Sequence, residues 1–402
     1  MSKCNSETSE CQQIYCGIDV HSRKWHLCVR SNGIQLKLLV MPADAGQTID
    51  WLKSTYPGAE IHCVYEAGFS GFSAHRSFLK AGFHSMVINP ADVPTTGKER
   101  TEKCDRTDCR KLARHLEDGS LTPIHVPSPA YEGLRGLVRR ETQVRNAAVR
   151  LSNQLKGALY FHGRHAVPQT LGRKALLELE EAMQTEPDYA YAQEILSLIR
   201  QLRQQREERR LLVEAEHTAL AKMGLAASAQ LLAGIPGIAF RSAAVLLSEL
   251  GDISRFGSGN KLASYVGLAP HAYGSGDGEQ DRACGNRKQK QLHYLFLQAA
   301  WVAVARDSAM QACFDRQCRK NRHKKTRAIL AVAKKLLLTA AAVLRHNEPY
   351  RHPEPKTAAA APGAAHPAQE DGCLPAGGTA FMQPEHFVNG EDMLYDTPDE
   401  YL

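Results

Sequence analysis

Two short apolar runs each close on a carboxylate: Ile14-Tyr15-Cys16-Gly17-Ile18 on Asp19, and Ile61-His62-Cys63-Val64-Tyr65 on Glu66. Runs of this length read as strands, so both acids emerge at strand ends. Two further acids, Asp105 and Asp108, open the segment DRTDCRKLARHLE. On a helix, i, i+3 spacing sets side chains on one face with Cβ atoms about 5–6 Å apart, so this one segment offers two ligands. Hard Mg²⁺, or Mn²⁺, takes carboxylate oxygens and water in preference to thiolate. Two such ions about 3.5–4 Å apart stabilise both the attacking and the leaving oxygen of a phosphoryl transfer. A single acid at a strand end is ordinarily a solvated turn residue. Four in this order point instead to metal-dependent cutting of nucleic acid.

The surrounding pattern supplies a fold for them. Residues 14–20, 24–30 and 34–40 read as a meander of three strands, broken at HSRK and at Ser31-Asn32-Gly33. A helix (about 46–55), a strand (60–66), a helix (about 70–81), a strand (84–88) and the Asp105 helix follow. This is the ribonuclease H-like order, in which the first and fourth strands are neighbours, and that adjacency brings Asp19 and Glu66 together. A chain of 402 residues exceeds one compact core. The expected class is α/β plus all-α: a catalytic domain over 1–125, long basic helices over 126–225, a helical domain over 226–350 and a tail over 351–402.

Charge is unevenly distributed. The tail carries nine acids against Arg351 and Lys356, whereas the first 350 residues carry 48 basic and 34 acidic side chains, a net +14. A basic body suits a polyanion. From about Tyr131 to His162 one long helix presents Arg135, Arg139, Arg140, Arg145, Arg150 and Lys156 beside an apolar stripe, readable as a phosphate-backbone rail or as a solvated face. A second long helix, about 190–223, has a heptad seam interrupted by Gln205, Arg209 and Glu216, which suits a short antiparallel pairing or a dimer contact. The tail holds seven of the 19 prolines and is expected to be disordered. The polar start is unlike a signal peptide, Lys334 and Lys335 interrupt the longest apolar run, and eleven scattered cysteines suit reduced thiols; these features imply a cytoplasmic protein with no membrane partner. Three C-x₄-C pairs match no common zinc spacing.

In the third block, GIPGIAFRSAAVLLSELG has the form of a helix-hairpin-helix. Gly234, Ile235, Pro236 and Gly237 make the hairpin, whose backbone N–H groups can meet a phosphate; a plain packing corner is the alternative. Two Gly-Ser-Gly tripeptides follow, at Ser258 and Ser275. Neither has the strand–turn–helix setting of a nucleophile elbow.

Together these pieces resemble the DEDD-type transposases of the insertion-sequence 110 family, related to the Piv invertases. The resemblance lies in YCGIDVHSRKWHLCV, VYEAGFSGF, EKCDRTDCRKLARHL, the segment from IPGIAFRSAAVLLSELG through GLAPHAYGSGDGEQ, and CGNRKQKQLHYLFLQAAW, and it covers about residues 12–345. It implies a RuvC-like domain with Asp19, Glu66, Asp105 and Asp108 as metal ligands, and a nucleophilic serine after the GL-x-P element, here Gly267-Leu268-Ala269-Pro270, which selects Ser275. It further implies DNA recombination through a serine–DNA intermediate, a structured noncoding guide RNA, and a homo-oligomer, dimer or tetramer, with composite sites. Cys109 stands where an alanine commonly follows the last acid. Two other readings remain: a hydrolytic Holliday-junction-type nuclease using the same acids and water, and a non-catalytic nucleic-acid-binding remnant.

Overall fold

The computed structural model describes residues 11–94, 105–165, 167–269, 288–320 and 324–352. Ser275 and the acidic tail lie outside them. The chain divides into two compact units, Met1–Ser128 and Pro129–Leu402.

In the first unit β1 (Gln13–Val20), β2 (Lys24–Ser31) and β3 (Ile34–Pro42) form the expected antiparallel meander, followed by α1 (Ala45–Thr55), β4 (Glu60–Glu66), α2 (Ser73–Lys80), β5 (His84–Ile88) and α3 (Asp105–Glu117). The sheet order is β3-β2-β1-β4-β5, with β1, β4 and β5 mutually parallel. It agrees with a ribonuclease H-like order, first strand beside fourth. The middle stretches of the central strands, Cys16 to Ile18 and Cys63 to Tyr65, are apolar and buried because both faces of the sheet are covered there. Ile14, Cys16, Ile18, Ile61, Cys63 and Tyr65 pack with Leu52 of α1 and Ala74 and Phe78 of α2. On the opposite face Val64 and Ile88 meet Leu112 of α3, and Cys28 meets Cys109 and Ala113.

The second unit is helical: α4 (Pro129–Phe161), α5 (Arg173–Gln184), α6 (Tyr189–Lys222), α7 (Ala226–Ala233), α8 (Phe240–Leu250), α9 (Gly259–Val266), α10 (Lys290–Arg306), α11 (Ser308–Lys320) and α12 (Lys325–His346). The two long helices pair antiparallel within the chain. Leu155 and Leu159 of α4 share one apolar cluster with Ile195, Ile199 and Leu202 of α6, while Leu134 and Val138 share a second with Leu220 and with the helices from α7 onward. The polar breaks in the heptad seam have a structural use. Glu141 of α4, 1% exposed, accepts from Arg209 Nε of α6 at 3.0 Å and Arg241 Nε of α8 at 2.7 Å, and a second Arg241 nitrogen donates to it as well. Glu216, 3% exposed, sits beside this group, and burial, with the Glu141 charge second, pushes its carboxyl up to about 7. No helix among the described residues is long and apolar enough to cross a membrane.

Candidate active site

The site is built by three lengths that agree. The parallel β1–β4 ladder ends at Ile18 and Tyr65, so Asp19 and Glu66, each one residue further on, stand at the same end of the sheet on neighbouring strands. The β4–β5 ladder continues past Glu66 through the Ala67 N–H to the Ile88 carbonyl, 2.8 Å, which fixes that strand end. α3 is anchored far from the acids. Its last residue, Glu117, accepts from Arg30 Nε at 2.7 Å and from the Gly33 amide at 2.6 Å. Arg30 lies opposite Tyr15. From Tyr15 to Asp19 the strand rises about 13 Å, and from Glu117 back to Asp108 the helix rises about 14 Å, so the first turn of α3 arrives at the level of Asp19.

Gly17 makes this approach possible. A Cβ there would lie 2.4 Å from both the Cys109 carbonyl and the Ala113 amide, so only hydrogen lets the helix backbone rest on β1 two residues before Asp19. Cys109 records the proximity electrically: burial first, then Cys28 and the Asp19 carboxylate, push its thiol up to about 12. A buried thiol fits a residue that fills space beneath the acids.

Two residues that do not stand out along the chain join Asp19. His26, 6% exposed, is its cross-strand partner on β2, and His21 Nε2 lies 3.1 Å from Asp19 Oδ2. Potential ligand atoms of Asp19, His21 and His26 all lie within 4.8 Å of one another. The signal for them is the hairpin register, which turns His26 back onto Asp19 once the β1–β2 turn is placed at HSRK. Asp19, Glu66 and Asp108 share an end of the sheet without forming one such three-atom cluster among the described residues.

Residues 16–162 match the DEDD_Tnp_IS110 family model, described as a transposase, and residues 229–315 match the model for transposases of the IS116/IS110/IS902 family. The chain is 31% identical over 298 residues to the putative transposase y4rJ of Sinorhizobium fredii, covering 68% of this chain and 74% of the relative. This chain belongs to the IS110 family of transposases. Over 124 residues, 30% of this chain and 38% of the relative, it is 40% identical to the pilin gene-inverting protein of Moraxella bovis. The transposase for insertion sequence element IS1111A of Coxiella burnetii is 23% identical over 254 residues, 61% of this chain and 67% of that one.

In the second unit of this transposase the remaining candidate residues take separate roles. Gly234 to Gly237 link α7 to α8 in a tight turn, with the Ile235 amide on the Leu232 carbonyl and the Ile238 amide on the Ile235 carbonyl, both 3.0 Å. Gly237 has φ +87°, and a Cβ on it would lie 2.2 Å from the Ala299 carbonyl, so the hairpin is pressed against α10. The arginines of α4 divide. Arg139 makes a two-pronged pair with Glu249, at 2.7 and 3.0 Å, and Arg135 donates to the Ser248 and Glu249 carbonyls. Glu249 is 1% exposed, so these two arginines neutralise a buried acid. Arg145 is half-buried, while Arg140 and Arg150 are exposed.

Ser258 is structural. It caps α9, its hydroxyl accepting from the Lys261 amide at 3.2 Å. The segment carrying Ser275 is outside the described residues, and described residues on either side of it meet. Gly267, φ +80°, lies so close to Lys288 that a Cβ would come within 2.3 Å of the lysine Cβ. The Gln289 amide bonds the Tyr265 carbonyl at 3.2 Å, and Gln289 Nε2 donates to Glu249 Oε2 at 2.8 Å.

Proposed function

We propose that this transposase cuts and rejoins DNA by metal-assisted attack of a serine, Ser275, on a phosphodiester. The observation that carries the reading is the placement of Asp19 and Glu66 at adjacent parallel strand ends, with the first turn of α3, Asp105 and Asp108, brought to the same level over Gly17. The donors are carboxylate oxygens, which fit Mg²⁺ or Mn²⁺. When bound, such ions polarise the phosphoryl oxygens and stabilise charge on the entering and leaving oxygens. Asp19, Glu66, Asp105 and Asp108 would hold them. The Ser275 hydroxyl forms a Ser–O–P ester as a strand P–O bond breaks, and its proton ends on the departing oxygen. Attack by another strand's hydroxyl reverses the exchange, restores the serine and conserves the phosphodiester without hydrolysis.

The described residues on either side of the segment that holds Ser275 pack together, Gly267 against Lys288 and Gln289 on Glu249. Similarity to a pilin gene-inverting protein supports site-specific DNA recombination as the outcome. A RuvC-like first domain, a helix-hairpin-helix that grips DNA backbone, a structured noncoding guide RNA and a homo-oligomer with composite sites complete the proposal. Sequence choice then rests on base pairing rather than on protein side chains.

The test is adduct trapping. With Mg²⁺ and DNA substrate, wild-type protein should yield a denaturant-resistant protein–DNA species whose peptide mass maps to Ser275. Ser275→Ala should bind DNA yet give neither adduct nor recombinant, and Ser258→Ala should give both. Cleavage by Ser275→Ala without an adduct would replace this reading with the water-based nuclease.

A further inference from the structure

A second cluster lies at the other end of the same sheet face. Glu60 and His62 are two residues apart on β4 and therefore point to one side, and His84 is the cross-strand partner of His62 on β5. Glu66 has the same parity as these β4 residues, so they share its face, with His62 about 13 Å down the strand from it. His84 Nε2 lies 2.8 Å from Glu60 Oε1, and His62 Nε2 3.6 Å from the same oxygen. The two imidazoles stack at 4.6 Å with 14° between planes, and one ligand atom from each of the three residues falls within 4.8 Å of the others.

From this geometry we infer that Glu60, His62 and His84 form a binding site for a borderline divalent transition metal such as Zn²⁺, separate from the carboxylate site. Two imidazoles and one carboxylate, with remaining positions open to water, are a recurrent donor set for such ions and a poor one for Mg²⁺. The carboxylate is held from behind, as metal-binding carboxylates usually are. Gln13 Nε2 donates to Glu60 Oε2 at 2.7 Å, its Oε1 lies 2.8 Å from His62 Nε2, and Tyr15 stacks on the outer face of His62 at 5.1 Å. A metal between His62 and Glu60 replaces the His62–Gln13 bond, while the Gln13–Glu60 bond keeps the carboxylate aimed. The protonation states also suit coordination: burial, and then His84, hold the His62 imidazole below its ordinary value, and chiefly the Gln13 hydrogen bond holds the Glu60 carboxyl below its own. A metal here clamps the short edge strand β5 to β4.

Co²⁺, whose visible absorption reports nitrogen and oxygen ligation, is the probe. It is titrated into metal-free full-length protein carrying Asp19→Asn, which dismantles the Asp19–His21–His26 cluster, in excess Mg²⁺. One band should appear, and Zn²⁺ should displace it. Adding His84→Gln or Glu60→Gln should remove the band, and adding Gln13→Ala should weaken Co²⁺ binding at least about tenfold. His84 is 62% exposed, so its variant should melt like the parent. No band in the Asp19→Asn protein, or a band indifferent to both His84→Gln and Glu60→Gln, would overturn the site.

Discussion

The candidate site of the first unit and the core of the second treat their acids in opposite ways. In the first, acids stand at the ends of strands and in the first turn of a helix, with the Asp19 side chain 22% exposed. In the second, Glu141 and Glu249 are each 1% exposed and lie under paired arginines. A carboxylate at a strand end keeps oxygens available to a ligand that arrives later. One buried among guanidiniums has its charge met within the fold, and removing one partner leaves the other's charge stranded. Asp19 thus stands partly open to solvent, whereas Glu141 and Glu249 are locked among arginines.

The largest expected effect tests that division directly. Alanine at Asp19, Glu66, Asp105 or Asp108 should lower strand exchange at least ~100-fold, the scale for removing one electrostatic stabiliser from a transition state, while thermal melting stays near wild type. Glu141→Ala should do the reverse, lowering stability by about 3–5 kcal/mol through the stranded Arg209 and Arg241. Measured side by side by recombination assay and chemical denaturation, two variants of the first set that unfold, or a Glu141→Ala that melts normally, would erase the distinction.

A smaller effect separates Glu216 from its neighbour Glu141. Because the folded-state value of Glu216 is raised from 4.5 to about 7, the folded protein holds a proton that the unfolded chain releases. Its contribution is therefore intact below pH 4.5 and lost as pH rises towards 7, by roughly 3 kcal/mol in all. Glu216→Gln should remove this fall and leave the variant more stable than wild type at pH 8 but not at pH 4. Urea melts across that range check it, and parallel pH profiles would refute it.

The smallest effect concerns α4. Arg140 and Arg150 are the exposed arginines of its row other than Arg139, which is held on Glu249. If they meet phosphates, the double alanine variant should lower the salt slope of nucleic-acid binding by about two units, with stability changed by under ~0.5 kcal/mol. Arg139→Ala should instead cost stability through Glu249. Equal slopes for wild type and the double variant would return these arginines to a solvated face.

Much of the first unit is legible in the residues, because strand periodicity and helix spacing are local properties. The five strands begin and end within two residues of where their apolar runs do, and the two long helices of the second unit likewise. Helix α5, Arg173–Gln184, does not stand out along the chain as an element. Its apolar face has meaning only against α6, since an isolated helix of that length is marginal on its own.

The chain's own pattern determined that four acids would stand at two strand ends and one helix start, since each lies at the boundary of a periodic segment and boundaries are written in sequence. Which charges face solvent and which are neutralised inside was decided only by tertiary packing. Arg139 and Arg140 are adjacent in sequence and both exposed, yet helical rotation turns the first, and not the second, onto Glu249, 110 residues away. His26 and His84 came to their clusters in the same way, through strand pairing. A side chain's partner across a fold is set by how elements pack, and no spacing along the chain encodes it.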